Sequence, residues 1–162
     1  MIPFRLLPTL DGSEVVYIDR IETSKVVQVK SRMGGRCPAH CTGVGKAILA
    51  FLSKEELDAY LARYELVKYT SRTITDKSEF IKEMEITRNR GYSIDNSEHD
   101  PEVRCIGCPV FDHRGYVVAS ISIAGPYFRM TDERLESFIP LIKAASIEIS
   151  RKLGFEPDKV YR

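Results

Sequence analysis

No stretch of this 162-residue chain approaches the roughly 20 consecutive apolar residues that a membrane-spanning helix needs. The opening MIPFRLLPTL is apolar, but Pro3 and Pro8 break it, Arg5 charges it, and Asp11-Gly12-Ser13 follows at once. That pattern excludes a secretory signal peptide, and with the missing span it describes a soluble protein. Four cysteines without a secretory signal point to reduced thiols in a cytoplasm, not to a disulfide frame. A net charge of +1 leaves no broad basic surface for nucleic acid or acidic membrane. Internal repeats and low-complexity tracts are also missing. What remains, 43% hydrophobic and 29% charged residues in 18.4 kDa, is the ordinary composition of one folded domain spanning residues 1–162.

Local patterns give the elements. Asp11-Gly12 reads as a tight turn and EVVYIDR after it as a strand. KVVQVK, Lys25 to Lys30, alternates apolar and polar residues like a strand with one wet face, so a hairpin opens the fold. VGKAILAFL from Val44 is helical in composition, and Ser53-Lys54-Glu55-Glu56 is a capping box for a second helix to about Arg63. Asp76 caps a third helix carrying Phe80, Ile81, Met84 and Thr87 at helical spacing, which Gly91 ends. Tyr92 to Asp95 is short and extended, and Asn96 to Glu102 is a polar loop of the exposed or ligand-lining kind. RCIGCPVF and YVVASISIAG form a hairpin across Asp112-His113-Arg114-Gly115. A last helix runs from Thr131 or Asp132 to Leu153, with Leu135, Phe138, Ile142, Ala145 and Ile149 on one stripe and a kink expected near Phe138 from Pro140. This order predicts an antiparallel sheet covered by helices, an α+β arrangement, not a doubly wound parallel sheet.

The stretch GGRCPAHCTGVGKAILAFLSKEEL, Gly34 to Leu57, gathers glycines, thiols, a histidine and a lysine. A phosphate loop requires a glycine where His40 stands and a hydroxyl where Ala47 stands, so it is excluded. A dinucleotide fingerprint starting at Gly43 fails at Ile48. Cys41 beside His40 resembles a nucleophile and its base, but sequence neighbours point apart, and His40, His99 and His113 sit in no motif. A buried or turn-bonded histidine among small buried cysteines is the simpler reading. For a metal, Cys37-x3-Cys41 and Cys105-x2-Cys108 are candidate pairs, but residues three apart on a strand face opposite ways. A mixed zinc site of Cys37, Cys105 and Asp95 is the form that stays open.

In their order and spacing, LDGSEVVYIDRIE, PAHCTGVGKAILAFLS, TITD before a helix, RGYSIDNSEHDPEVRCIGCPVFD and VVASISIAGPYFRMTD together resemble one family. It is the C-terminal effector-binding domain of IclR-type transcriptional regulators, and the resemblance covers nearly the whole chain. It implies a GAF-like domain, a central antiparallel sheet with helices on both sides and a small-molecule pocket on one sheet face. It also implies a small organic acid as effector, no resident cofactor, and operator DNA bound only through an N-terminal winged helix-turn-helix domain that this chain lacks. Full-length relatives assemble as dimers and often as tetramers.

By the same resemblance the pocket draws Gly43 and Val44 from the glycine-rich loop, Asp95 from the polar loop, Cys105 from the next strand and Ser122 from the last. Cys37, Val103 and Val29 form apolar wall. Amides at a helix start and a serine hydroxyl suit a carboxylate, while Asp95 accepts from an effector hydroxyl or caps its own loop. Alternation puts Ser122 with Ser120 and Ala124 on one face, toward either the pocket or solvent. Lys46 lies one turn into the helix, supporting or solvent-facing. Val44, Cys41 and Ala124 stand where smaller or more polar residues are frequent in the family, and Asn96 and Ser97 where acids are frequent. These departures favour a larger, partly apolar acid. The alternatives are a metal sensor built on Cys37, Cys105 and Asp95, and a hydrolase using Cys41 or Cys105.

Overall fold

Six strands of the computed structural model, which describes residues 5–21 and 33–158, form one sheet in the order β3-β2-β1-β6-β5-β4. β1 (Arg5–Asp11) and β2 (Glu14–Ile21) make the opening hairpin, with Gly12 at φ 67 in the turn. β3 (Arg36–Pro38) is a short edge strand beside β2. β4 (Ser93–Asn96), β5 (Val103–Phe111) and β6 (Val117–Pro126) follow, and every neighbouring pair is antiparallel. KVVQVK lies outside the described residues.

One departure from the sequence reading sits at the start, where two prolines had argued only against a signal peptide. Arg5–Asp11 pairs with both β2 and β6 and joins the two halves of the sheet. The register shifts between Leu7 and Pro8, which is how a strand holds a residue that lacks an N–H.

Helices cover both faces. α1 (Gly43–Leu49), α2 (Lys54–Arg63) and α3 (Lys77–Arg90) pack on one side around Val15, Val44, Leu61, Phe80 and Met84. α4 (Asp132–Lys152) covers the other, where Leu135, Phe138 and Ile142 meet Ile106, Val110 and Ile121. No described helix is long and apolar enough to cross a membrane. The predicted caps are present: Ser53 and Glu56 exchange both capping-box bonds, Asp76 Oδ1 accepts from Glu79 N at 2.9 Å, and Gly91 closes α3 at φ 81. α4 continues as one helix through the exposed Pro140.

The last two turns of α4 differ from the predicted stripe. Ser146 and Ser150 are the buried residues there, while Ala145 and Ile149 are only partly covered. The register of β5 and β6 shifts between Val110 and Phe111. Ser146 Oγ donates to the Pro109 carbonyl and Ser150 Oγ accepts from Phe111 N at 3.0 Å, so two serines serve backbone groups beside that irregularity.

Candidate functional site

The glycines of the Gly34–Leu57 stretch permit close packing. An added Cβ on Gly45 would stand 2.1 Å from the Ala39 carbonyl oxygen, and one on Gly43 would stand 2.5 Å from Cys105 Sγ. On the facing strand a Cβ on Gly107 would stand 2.4 Å from the Gly43 oxygen. Backbone therefore meets backbone at the start of α1. Thr42 caps the helix, accepting from Gly45 N at 3.3 Å and donating to the Pro38 carbonyl at 2.7 Å. The sheet then tethers α1 by two serines: Ser93 Oγ donates to the Gly43 carbonyl, and Ser120 Oγ to the Val44 carbonyl at 2.9 Å.

Register sorts the candidate residues. Ser93 pairs with Gly107 and Gly107 with Ser122; Asp95 pairs with Cys105 and Cys105 with Ala124. Alternate residues of a strand share a face, so Asp95, Cys105, Ser120, Ser122 and Ala124 all lie on the α1 side. Val103 falls on that face too, half-buried at the start of β5. Ser122 thus turns inward, not to solvent, yet its hydroxyl is buried without a hydrogen-bond partner. It adjoins Cys105 and favours the ionised form of that thiol, without the geometry of a formed bond. Val44 and Cys37 belong to the apolar cluster that continues this surface. Val29 lies outside the described residues.

Asp95 is only 4% exposed, and burial pushes its carboxyl up to about 7. The Glu98 backbone N–H, donating to Asp95 Oδ1 at 2.8 Å, and the nearby Lys46 cation oppose that rise. Asp95 is therefore both a loop cap and a member of the pocket face. Its loop is tied down from the 70s: Thr70 Oγ1 donates to the Ser97 carbonyl at 2.8 Å and Thr73 Oγ1 to the Glu98 carbonyl at 2.6 Å. Ser97 is held at φ 62, the single non-glycine residue at positive φ among those described.

Two alternatives are corrected. Cys37 on β3 and Cys105 on β5 both border the site, but among the described residues no three His, Cys, Asp or Glu side chains converge as metal ligands. Cys37 instead meets the hydroxyl of Tyr17 at 3.1 Å, and Cys108 faces the α4 core. Cys41 and Cys105 are no better as nucleophiles, because burial raises both thiols well above their ordinary range and keeps them protonated. His40 Nε2 bonds the Val67 carbonyl at 2.9 Å, the turn-bonded role expected of it, and His99 packs edge-on against Tyr69 at 4.9 Å.

Two residues, Tyr17 and Glu98, escaped the sequence reading, and Lys46 takes the supporting one of its two expected roles. Tyr17 is buried at the site, where Cys37, Cys105 and Asp95 all disfavour its ionisation. Only its odd place in the alternation of β2, shared with Val15, hinted at this. Lys46 is not solvent-facing: it is 1% exposed, with Nζ 2.6 Å from Oε1 of Glu98. Neither Lys46 nor Glu98 carries a local signal, since 52 residues separate them.

The comparisons with known proteins agree with this geometry. Residues 6–151 match the family described as the bacterial transcriptional regulator IclR C-terminal domain. The HTH-type transcriptional regulator KipR of Bacillus subtilis is 37% identical over 145 residues, covering 90% of this chain and 58% of that protein. The chain thus spans less than two thirds of the length of such relatives. The crystal structure of Thermotoga maritima IclR superposes with a TM-score of 0.90 at 40% identity, over 94% of this chain and 62% of that one. The inducer-binding domain of the Acinetobacter transcription factor PobR, a double mutant in complex with 3-hydroxybenzoic acid, superposes with a TM-score of 0.84 at 26% identity, over 91% of this chain and 87% of that one. Together with the helix-covered antiparallel sheet, these matches establish that the chain belongs to the IclR family and carries its C-terminal domain.

Proposed function

We propose that this chain is the effector-sensing half of a cytoplasmic transcriptional regulator, and that it binds a small organic acid beside the start of α1, on the sheet face that carries Asp95 and Ser122. The observation that carries the reading is the buried Ser122 hydroxyl without a partner, on the same face as the buried Asp95. A buried hydroxyl without a partner costs about 1–3 kcal/mol, which a ligand oxygen at that point offsets. Asp95 supplies the second polar contact, and Cys105, Val44, Cys37 and Val103 supply apolar wall, with the Gly43 and Val44 backbone at the helix end. The reading needs no metal and no enzymatic step.

The PobR complex supports an aromatic hydroxy acid as one effector class, since that fold accommodates one. The departures at Val44, Cys41 and Ala124 point the same way, toward an acid larger than the smallest keto acids. In the full-length protein, binding shifts the equilibrium between two arrangements and changes operator affinity through an N-terminal winged helix-turn-helix domain. The regulator then works as a homodimer or homotetramer. A tenfold preference for one arrangement requires about 1.4 kcal/mol of coupling.

The test is thermal unfolding of the domain against a panel of keto, sugar and hydroxybenzoic acids, followed by calorimetry on each hit. An acid at about 100 times its Kd adds about 2.7 kcal/mol of stability. Ser122→Ala is expected to abolish the gain while leaving the free domain folded. A panel with no stabilising acid, or a hit indifferent to Ser122→Ala, overturns the reading.

A further inference from the structure

Lys46 is the largest fully buried side chain among the described residues. Its ammonium is shared between Oε1 of Glu98 at 2.6 Å and Oε1 of Glu83 at 3.3 Å, and Glu83 also meets Arg90 at 3.2 Å. Burying a lysine is expensive unless its partners hold it. Here the partners run from α3 through α1 to the loop after β4, and they end one residue pair from the site. Glu98, whose carboxylate Lys46 holds, is the residue whose backbone N–H donates to Asp95 Oδ1 at 2.8 Å. Its other oxygen, Oε2, is buried with no partner.

Charge balance then isolates Asp95. Asp95, Glu98 and Glu83 are three carboxyl groups against the two cations Lys46 and Arg90. The other titratable groups near Asp95 add no cation: Asp100 in its own loop, Cys105 on β5, Tyr17 on β2, Cys37 on β3, and Cys41 before α1. Arg104 turns to the opposite side, donating to the Met130 carbonyl at 2.6 Å and meeting Asp132 at 2.7 Å. Arg72 reaches Asn96 Oδ1 at 3.1 Å.

We propose that Lys46, acting through Glu98, is a positioning residue of the effector site: the pair fixes the loop that aims Asp95 and commits the nearest cation elsewhere, leaving Asp95 a buried acid with no cation partner of its own among the described residues. The inference rests on the effector-site reading for its meaning, but not for its test. Its consequence is that an anionic effector meets no free cation beside Asp95 among the described residues, so the site accepts it with Asp95 protonated and acting as a donor.

Carboxyl-carbon NMR of the ligand-free domain tests this by following the Asp95 side chain through a pH titration. Lys46→Met removes the nearby cation and is expected to move the Asp95 midpoint up by about half a pH unit or more; Glu98→Gln removes the neighbouring anion and is expected to move it down. A purely structural role predicts something else. Loosening the loop hydrates Asp95 and moves the midpoint down in both variants, toward the ordinary carboxylate range near about 4. Opposite directions support the proposal; a fall, or no movement, in Lys46→Met overturns it. If Lys46→Met does not fold, Arg90→Gln is the second variant, at a side chain that is 25% exposed. It draws Lys46 toward Glu83 and is expected to raise the midpoint, and a fall or an unchanged value overturns the proposal equally. Neither measurement involves an effector, so failure here leaves the binding reading standing, and an empty ligand panel leaves this result standing.

Discussion

Asp95 costs the fold stability as pH rises. The unfolded chain releases its proton near about pH 4, whereas the folded chain holds it to about 7 because the group is buried. Between those values the folded state binds more protons, so the stability tied to neutral Asp95 is fully present below about pH 4 and is lost as pH climbs through the folded midpoint. Asp95→Asn cannot ionise, yet its side-chain oxygen still accepts from the Glu98 N–H. The variant is expected to gain about 4 kcal/mol at pH 8, or about 8–16 °C in Tm, and little at pH 4. Thermal melts of both proteins across that range check it; parallel curves would show that Asp95 is not the group being neutralised. The same substitution keeps a donor for an anionic effector, because the amide NH2 donates where the protonated carboxyl would, so binding at this residue is expected to lose its pH dependence while keeping its hydrogen bond.

At the scale of elements, α1 depends on glycines that let it touch the sheet. Gly107→Ala would drive a Cβ to 2.4 Å from the Gly43 carbonyl and 2.8 Å from Ser93 Oγ, and neither backbone nor tether can retreat without lifting the helix. A loss of about 3 kcal/mol is expected, read as a drop of about 6–12 °C in Tm. Gly34→Ala meets nothing within 4 Å and pays only for φ 73, so its expected cost is about 1 kcal/mol. Equal losses would refute the close-packing account. This contrast also shows what a sequence can disclose. Caps and stops are written within four residues, which is why α2, with Ser53 and Glu56, and α3, with Asp76 and Gly91, were legible to their ends. β1 was not, because Pro8 is a local signal against a strand, and only pairing on both sides with a register shift overrules it. The serines of α4 looked like gaps in an apolar stripe, since the β5 backbone they serve is 37 and 39 residues away. For the site, alternation along β6 placed Ser122 on a face but could not say which one. Tyr17 and Glu98 stayed hidden, and Lys46 stayed undecided between support and solvent, because long-range packing, not spacing, brings them there.

The whole molecule is a sandwich in which the sheet separates two unlike halves. α4 closes one side with an apolar core that includes Cys108, while α1, α2 and α3 close the other over a surface that includes Asp95, Cys37, Cys105, Tyr17 and the Lys46–Glu98 pair. A polar cluster under a helix is a place where a ligand and a proton share one energy balance. If Asp95 must be neutral for an anionic acid to enter, binding takes up one proton wherever free Asp95 is ionised. Affinity is then flat below the free-state midpoint and falls about tenfold per pH unit above it. Calorimetry of a panel hit such as 3-hydroxybenzoate, run near pH 8 in buffers of differing ionisation enthalpy, is expected to give uptake of about one proton. Asp95→Asn should abolish that uptake even where it weakens binding, and Glu98→Gln should shift the onset of the fall to lower pH. An anionic ligand that binds near pH 8 with no proton uptake would mean that Asp95 stays charged beside it, which requires a cation at the site that the described residues do not provide.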